Sequence, residues 1–556
     1  MKKIFKSFLI SLAVSLFIIS CSSGNSVGSM VNNLRVINNT IQDTGIIYGV
    51  SEGTDPLPYN EKIKTKDALL PDGSFDLYIV HTNDVHGRLD KEDKVIGYST
   101  LSAFLSTLRT VSKGNVLALE AGDFSHGTNL ANFFKGENVY NLLGYMGYDA
   151  FTLGNHEFNY GLKQLNSNLL IGIARDAVPL SNNIKIGGKR VLPPYRIFNF
   201  NGYKVGVIGI TTPSTKQQAN PLYVSNIDFS TNLIPDLQAT VDEVKKEADF
   251  VIVLGHIGLD SVDENGTTSA TIVRDVKGID LFVDGHSHSR LIDPLYEGTT
   301  PIVQTGEYLG NIGVEVMHIT PQKRIATFDY YLVSKADFDN PSESTFLTSL
   351  GIKSSLEDQS VTDYIEQKKA ALDEIYKKEV ARVEEKYDSA RAVVRAEQCP
   401  LGKLVADALT ESVSADFAIM NGGSFRADLG PGVLTIGDIN ATLPFTNQVV
   451  LSEISGEGIY KALENGYSKY PELAGGFPQT NLLLDVDTSA RPGERIKGVK
   501  LPSGVEVKKD GTVYKVATND YLVAGGDGYN QFGKVLRYAG QLNEVLISYL
   551  SAKYPL

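Results

Sequence analysis

Histidine is scarce in this chain, and seven of its eight copies fall between His81 and His288. They stand in short polar clusters: His81-Thr82-Asn83-Asp84-Val85-His86-Gly87, Gly154-Asn155-His156-Glu157, Gly255-His256-Ile257-Gly258 and Gly285-His286-Ser287-His288, with Gly122-Asp123 between the first two. Imidazole nitrogen and carboxylate or amide oxygen are the ligands that borderline divalent cations choose, and core packing does not need such a set. Any one of these histidines taken alone is more often a hydrogen-bonded structural residue. Together they point to hydrolytic chemistry at a pair of metal ions.

The spacing suggests roles. Asp84 and His86 are two residues apart, so an extended backbone sends both to one side, where both can reach one cation. The carboxylate of Asp123 has two oxygens and can bridge two cations. Asn155 offers a neutral oxygen, while its neighbour His156 points elsewhere and stays free for proton chemistry. His256 follows an apolar run, and His286 and His288 again share a side. His81, His126 and His318 read as structural.

The elements that must position these groups are visible as apolar β-branched runs at residues 77–80, 116–119, 205–210, 250–254 and 279–283, separated by polar helical stretches. Such runs suit strands buried on both faces. The polar clusters follow them, at the carboxyl ends of strands, where ligands bind in open α/β sheets. Residues 358–391 hold Lys, Glu and Ala without glycine or proline and predict a solvated helix joining two domains. Residues 401–413 then read as an amphipathic helix and 416–420 as a strand, opening a second α+β unit.

A length of 556 residues demands more than one core. The net charge of −13 and a pI near 5.2 disfavour nucleic-acid polymers, but not a small phosphorylated ligand whose charge bound cations offset. With only Cys21 and Cys399, a disulfide framework is excluded. Lys2, Lys3 and Lys6 precede an apolar stretch from Phe8 to Ile19, and Ile18-Ile19-Ser20-Cys21 resembles a bacterial lipobox, predicting export and acylation of Cys21. An ordinary signal peptide with an incidental cysteine is the alternative.

The clusters, in this order, resemble the calcineurin-like metallophosphoesterases, and within them the 5′-nucleotidase family with its UDP-sugar hydrolases and 2′,3′-cyclic-nucleotide phosphodiesterases. Gly209-Ile210-Thr211-Thr212-Pro213, Asn421-Gly422-Gly423-Ser424-Phe425-Arg426 and Gly525-Gly526-Asp527-Gly528-Tyr529 extend the resemblance over roughly residues 75 to 540. It implies an α/β fold: a four-layer metallophosphoesterase β-sandwich flanked by helices, then a smaller α+β C-terminal domain. The expected plan is a lipoprotein signal peptide (1–20), a tether (21–72), the metallophosphoesterase domain (73–345), a connecting helix (355–392) and a substrate-binding domain (393–556).

The resemblance further implies one cation on Asp84, His86, Asp123 and His288, and a second on Asp123, Asn155, His256 and His286. Zn or Mn fit these ligands, with Fe and Co as further options. It makes His156 the proton donor or electrostatic stabiliser at the leaving oxygen. Phe445 and Tyr521 would sandwich a base, and Arg395, Asn421, Arg426 and Asp527 would contact the rest of a nucleotide. The expected activity is release of phosphate from nucleoside 5′-monophosphates by a lipid-anchored exported enzyme. Asn159 stands where the nucleotidases used for comparison have aspartate, which favours 2′,3′-cyclic nucleotides, 3′-nucleotides or UDP-sugars as alternative substrates. A surface lipoprotein that kept the fold and lost catalysis is the competing class.

Overall fold

The computed structural model describes residues 61–219, 221–224, 226–259, 266–445 and 447–556; Cys21, the expected signal peptide and the tether up to residue 60 lie outside them. The apolar runs form two sheets stacked face to face. One has six strands in the order Ile325–Ser334, Asn311–Ile319, Phe75–Thr82, Val116–Glu120, Ala150–Thr152, Val178–Leu180. The other has seven: Lys62–Thr65, Tyr195–Phe200, Tyr203–Thr211, Phe250–His256, Leu281–Val283, Thr300–Val303, Leu295–Glu297. Within each sheet the site-bearing strands run parallel to one another, so their carboxyl ends gather at one pole.

Strand alternation builds the layers. Leu77, Ile79, Leu117 and Leu119 face Val207, Ile252, Leu254 and Val283 across the sandwich, all fully buried. The opposite faces pack under helices, Tyr98–Val111 and Glu137–Tyr145 on the six-stranded sheet, Leu233–Val244 and Ser269–Asp275 on the other. Each such aliphatic side chain contributes about 1.5–3 kcal/mol by leaving water. The result is the expected helix–sheet–sheet–helix sandwich.

Two boundaries differ from expectation. Residues 62–65, assigned to the tether, are an edge strand parallel to Tyr195–Phe200, and Lys62 and Lys64 both reach the buried Asp149 carboxylate, at 3.6 and 2.5 Å. The predicted connecting helix is helical only over Gln359–Tyr376. It is no solvated spacer: Asp358 caps it, and Val361, Ile365 and Leu372 are buried in the core of the first domain. Glu379–Val383 is a strand paired with Gly432–Thr435, so the second domain begins there.

That domain carries a five-stranded sheet in the order Pro478–Thr480, Phe417–Asn421, Val513–Asn519, Gln448–Ser455, Val535–Gln541. Helices Pro400–Val413 and Leu542–Lys553 cover one face and Gly456–Tyr467 the other. Cys399 is a buried free thiol whose sulfur caps Pro400–Val413, accepting from the Gly402 amide. Among the described residues no helix is long and apolar enough to cross a membrane.

Candidate active site

The ligands reach their common pole on tight turns rather than on extended backbone. Asp84, His86, Asp123, His286 and His288 all have positive φ, at 49°, 49°, 55°, 79° and 53°. The period-two argument for Asp84/His86 and His286/His288 is therefore corrected: each pair converges because both members are left-handed. Non-glycine residues rarely adopt this region, and each instance costs about 1–3 kcal/mol that surrounding contacts must over-determine.

Those contacts are specific. The Asp84 carbonyl accepts from Tyr308 N at 2.8 Å, and Asp84 Oδ2 accepts from His286 N at 2.9 Å and Asn83 Nδ2 at 2.7 Å. Asn83 in turn bonds Gly306 and Thr305. Asp284 accepts from the amides of Ile257 and Gly258, which fixes the His256 turn against the His286 turn. Burial pushes the Asp284 carboxyl up to about 6.

Glu157 is the most heavily used of these supports. Its buried carboxylate accepts from the amides of Asp123, Phe124, Ser125 and Gly154 at 2.8–3.1 Å and from Ser125 Oγ at 2.9 Å. Burial and the charge of Asp123 push this carboxyl up. Gly154 is required where it stands, because a Cβ would lie 2.1 Å from Asp123 Oδ1.

Two groups of donors result. Asp84, His86 and His288 form one, and Asp123, His256 and His286 the other, each with ligand atoms mutually within 4.8 Å. In the first, His86 Nε2 and His288 Nε2 are 3.2 Å apart, and His288 Nε2 is 3.3 Å from Asp84 Oδ1. In the second, His256 Nε2 is 3.1 Å from Asp123 Oδ2.

Three rings have Nδ1 engaged away from the site: His86 donates to the His126 carbonyl, His256 to the Ala121 carbonyl and His288 to Glu307. That fixes the tautomer that offers Nε2 to a cation. Asp84 Oδ1, Asn155 Oδ1 and His256 Nε2 are buried without a hydrogen-bond partner. Orphaned buried atoms of this kind are costly unless something else satisfies them, and a divalent ion does so. The residues therefore fit the implied metals.

Asp123 Oδ1 accepts from His156 N at 2.8 Å, and its Oδ2 faces His256. Burial works to raise this carboxyl, but His256, His156 and His86 hold it well below the usual range. Burial likewise works against a charged His256, yet Asp123 drives it up to about 10, while burial and His256 press His286 down to about 4.

His156 stands beside both groups. Asn159 Nδ2 lies 2.9 Å from His156 Nδ1, so the amide donates to the ring rather than accepting from it, and the ring proton sits on Nε2. His126, taken as structural from sequence, instead lines the cleft and stacks on His156. His81 is buried 3.1 Å from Glu315, and His318 pairs with Asp76 at 2.7 Å; neither belongs to a donor group.

The cleft, of about 980 Å³, runs from His86, Asp123, Asn155, His286 and His288 across to Phe445 and Tyr521 of the second domain. The other predicted substrate contacts cluster beside these aromatics. Arg426 lies over the Phe445 ring at 5.1 Å, Tyr521 OH donates to Asp527 Oδ1 at 3.3 Å, and Asn421 Nδ2 donates to Asp527 Oδ2 at 3.1 Å. The Tyr521 ring lies on Gly526, where a Cβ would come within 2.5 Å of it. Arg395 is near enough to Arg391, Arg426 and Asp527 to feel their charges. Arg88 and Tyr308, which no sequence motif singles out, also line the cleft, with the guanidinium 4.9 Å over the ring.

A two-sheet sandwich with such donor groups at its carboxyl pole defines the calcineurin-like phosphoesterase class, and the family model of that description matches residues 77–290. A second, described as 5′-nucleotidase, C-terminal domain, matches residues 379–534, starting at the observed second-domain strand. The snake venom 5′-nucleotidase of Naja atra is 30% identical over 507 residues, covering 82% of this chain and 92% of that protein. The trifunctional nucleotide phosphoesterase protein YfkN of Bacillus subtilis (strain 168) is also 30% identical, over 83% of this chain and 32% of its own length. The crystal structure of a 5′-nucleotidase precursor from Thermus thermophilus shares the fold, with a TM-score of 0.52, 24% identity and coverage of 86% and 96%. The chain belongs to the 5′-nucleotidase family of metal-dependent phosphoesterases.

Proposed function

We propose that this enzyme is exported and lipid-anchored through Cys21, and that it releases phosphate from nucleoside 5′-monophosphates. The observation that carries the reading is the single cleft joining both donor groups to Phe445 and Tyr521. Two divalent ions, one on Asp84, His86, Asp123 and His288 and one on Asp123, Asn155, His256 and His286, would activate water and neutralise charge building on the phosphoryl group.

The protein's own part is positional and protonic. Glu157 and Asp84's amide partners hold the ligand turns rigid, so little reorganisation accompanies reaction. His156 presents Nε2–H to the leaving oxygen; in its protonated form, with the Asn159 amide turned so that its oxygen accepts from Nδ1–H, it supplies the proton the departing oxygen takes as the bond to phosphorus breaks. Phe445 and Tyr521 offer flat apolar faces to a base. Arg395 and Arg426 offer guanidinium to anionic or ribose oxygens, with Asn421 and Asp527 orienting them.

Asn159 and the YfkN relative, whose name records three activities, favour a second reading with 2′,3′-cyclic nucleotides, 3′-nucleotides or UDP-sugars as substrates. One purified sample assayed on AMP, 2′,3′-cyclic AMP and UDP-glucose separates them. The first reading expects kcat/KM to be highest for AMP; a preference for either other compound overturns it.

Asn159→Asp supplies a carboxylate to accept from Nδ1–H and favours the protonated ring. Because the acid form assists departure, the alkaline limb of the pH–rate profile is expected to move to higher pH. An unmoved profile would separate position 159 from the proton step.

A further inference from the structure

We infer that His126 is a positioning residue for the reaction, acting through His156; this rests on the proposed leaving-group role of His156. The two rings lie parallel, 5.2 Å between centroids and 6° between planes. On its other side His126 meets Tyr160, at 5.4 Å and 55°. Tyr160 is itself anchored, its hydroxyl donating to Asn132 Oδ1 at 2.7 Å.

His126, on the loop that carries Asp123, stacks on His156 and is braced by the tilted ring of Tyr160. His156 is thus held on one face by His126 and at Nδ1 by Asn159, while His86 approaches it edge-on at 5.1 Å and 76°. The arrangement leaves Nε2 as the ring's free polar edge toward the cleft.

The need for a stack follows from Asn159. An aspartate would tether a charged imidazolium by ion pairing, whereas a neutral amide gives one weaker hydrogen bond and leaves rotation about it less restrained. An aromatic plane against the ring face supplies the missing restraint. The His126 backbone carbonyl meanwhile accepts from His86 Nδ1 at 3.1 Å, a bond that side-chain replacement does not remove.

The test uses the full chain and compares His126→Ala, His126→Phe and His156→Ala on AMP and on p-nitrophenyl phosphate. The phenolate of the second substrate departs without needing a proton. His126→Ala is expected to lose about tenfold or more in kcat on AMP, since misplacement of a catalytic group is costly. KM and metal content should stay near wild type, with a loss under about threefold on p-nitrophenyl phosphate. His126→Phe keeps the plane without nitrogens and should recover most of the AMP rate.

Wild-type kcat on AMP for His126→Ala, or a Phe variant no better than Ala, overturns the proposal. If His156→Ala shows the leaving-group dependence and His126→Ala does not, the stack alone is refuted. If His156→Ala lacks that dependence, the role of His156 falls and this proposal with it.

Discussion

Asp123→Ala is expected to reduce phosphate release from AMP by about a thousandfold or more, because it removes the carboxylate placed to serve both cations, a contribution of several kcal/mol. Asp123 is buried, and the neighbouring His256, His156 and His86 hold its carboxyl well below the usual range. The variant should also bind less than the full metal complement. Asp123→Asn separates two roles: the amide oxygen can still accept from His156 N, but the charge is gone. A large loss in the Asn variant assigns the effect to charge; near-wild-type turnover in it would contradict the assignment. Phosphate release per enzyme, beside metal analysis of the same sample, is the measurement.

The second large effect concerns a residue that touches no substrate. Glu157→Ala leaves four amides and the Ser125 hydroxyl without their acceptor in a buried setting. Stranded donors cost about 1–3 kcal/mol each, partly relieved by relaxation, so a net destabilisation of about 3–5 kcal/mol is expected. Thermal unfolding reads it as a fall of roughly 10 °C. Activity should drop by about 10–100-fold even in the folded fraction, as for other residues that orient ligands. Glu157→Gln retains one acceptor oxygen but turns an NH2 toward backbone donors, and should fall between. An alanine variant as stable and active as wild type would show that the Asp123 turn holds itself.

The residues that could do the chemistry were legible because metal ligands are drawn from few residue types and, in this fold, stand directly after apolar strands. The layers were legible for a related reason: strands buried on both faces cannot hide their composition. Geometry at the turns was not. Asp84-Val85-His86 reads as extended by spacing, yet both ligands are left-handed, Asp84 held by bonds from Tyr308 and His286, over two hundred residues away, and His86 by its amide's bond to the Asp123 carbonyl. Distant partners leave no local signal.

Glu157 is visible as part of a motif, but its five-fold acceptance depends on how two loops meet. His126 was dismissed because no neighbour in sequence suggests a ring to stack on; Tyr160 and His156 arrive from another loop. Glu379–Val383 was absorbed into a helix because Lys and Glu on either side set the local composition. Its own alternation is weak, with Val380, Ala381 and Val383 buried and Glu379 and Arg382 exposed, and the pairing with Gly432–Thr435 decides the matter.

Two cations acting at one cleft are the centre of the proposed chemistry. Metal-depleted full-length enzyme titrated with Mn or Zn, with phosphate release from AMP followed at each addition, tests it most directly. Negligible turnover is predicted without metal, and full activity only as the second equivalent per chain binds. Wild-type turnover by protein stripped of metal, or complete activity at one equivalent with no second site, would contradict it.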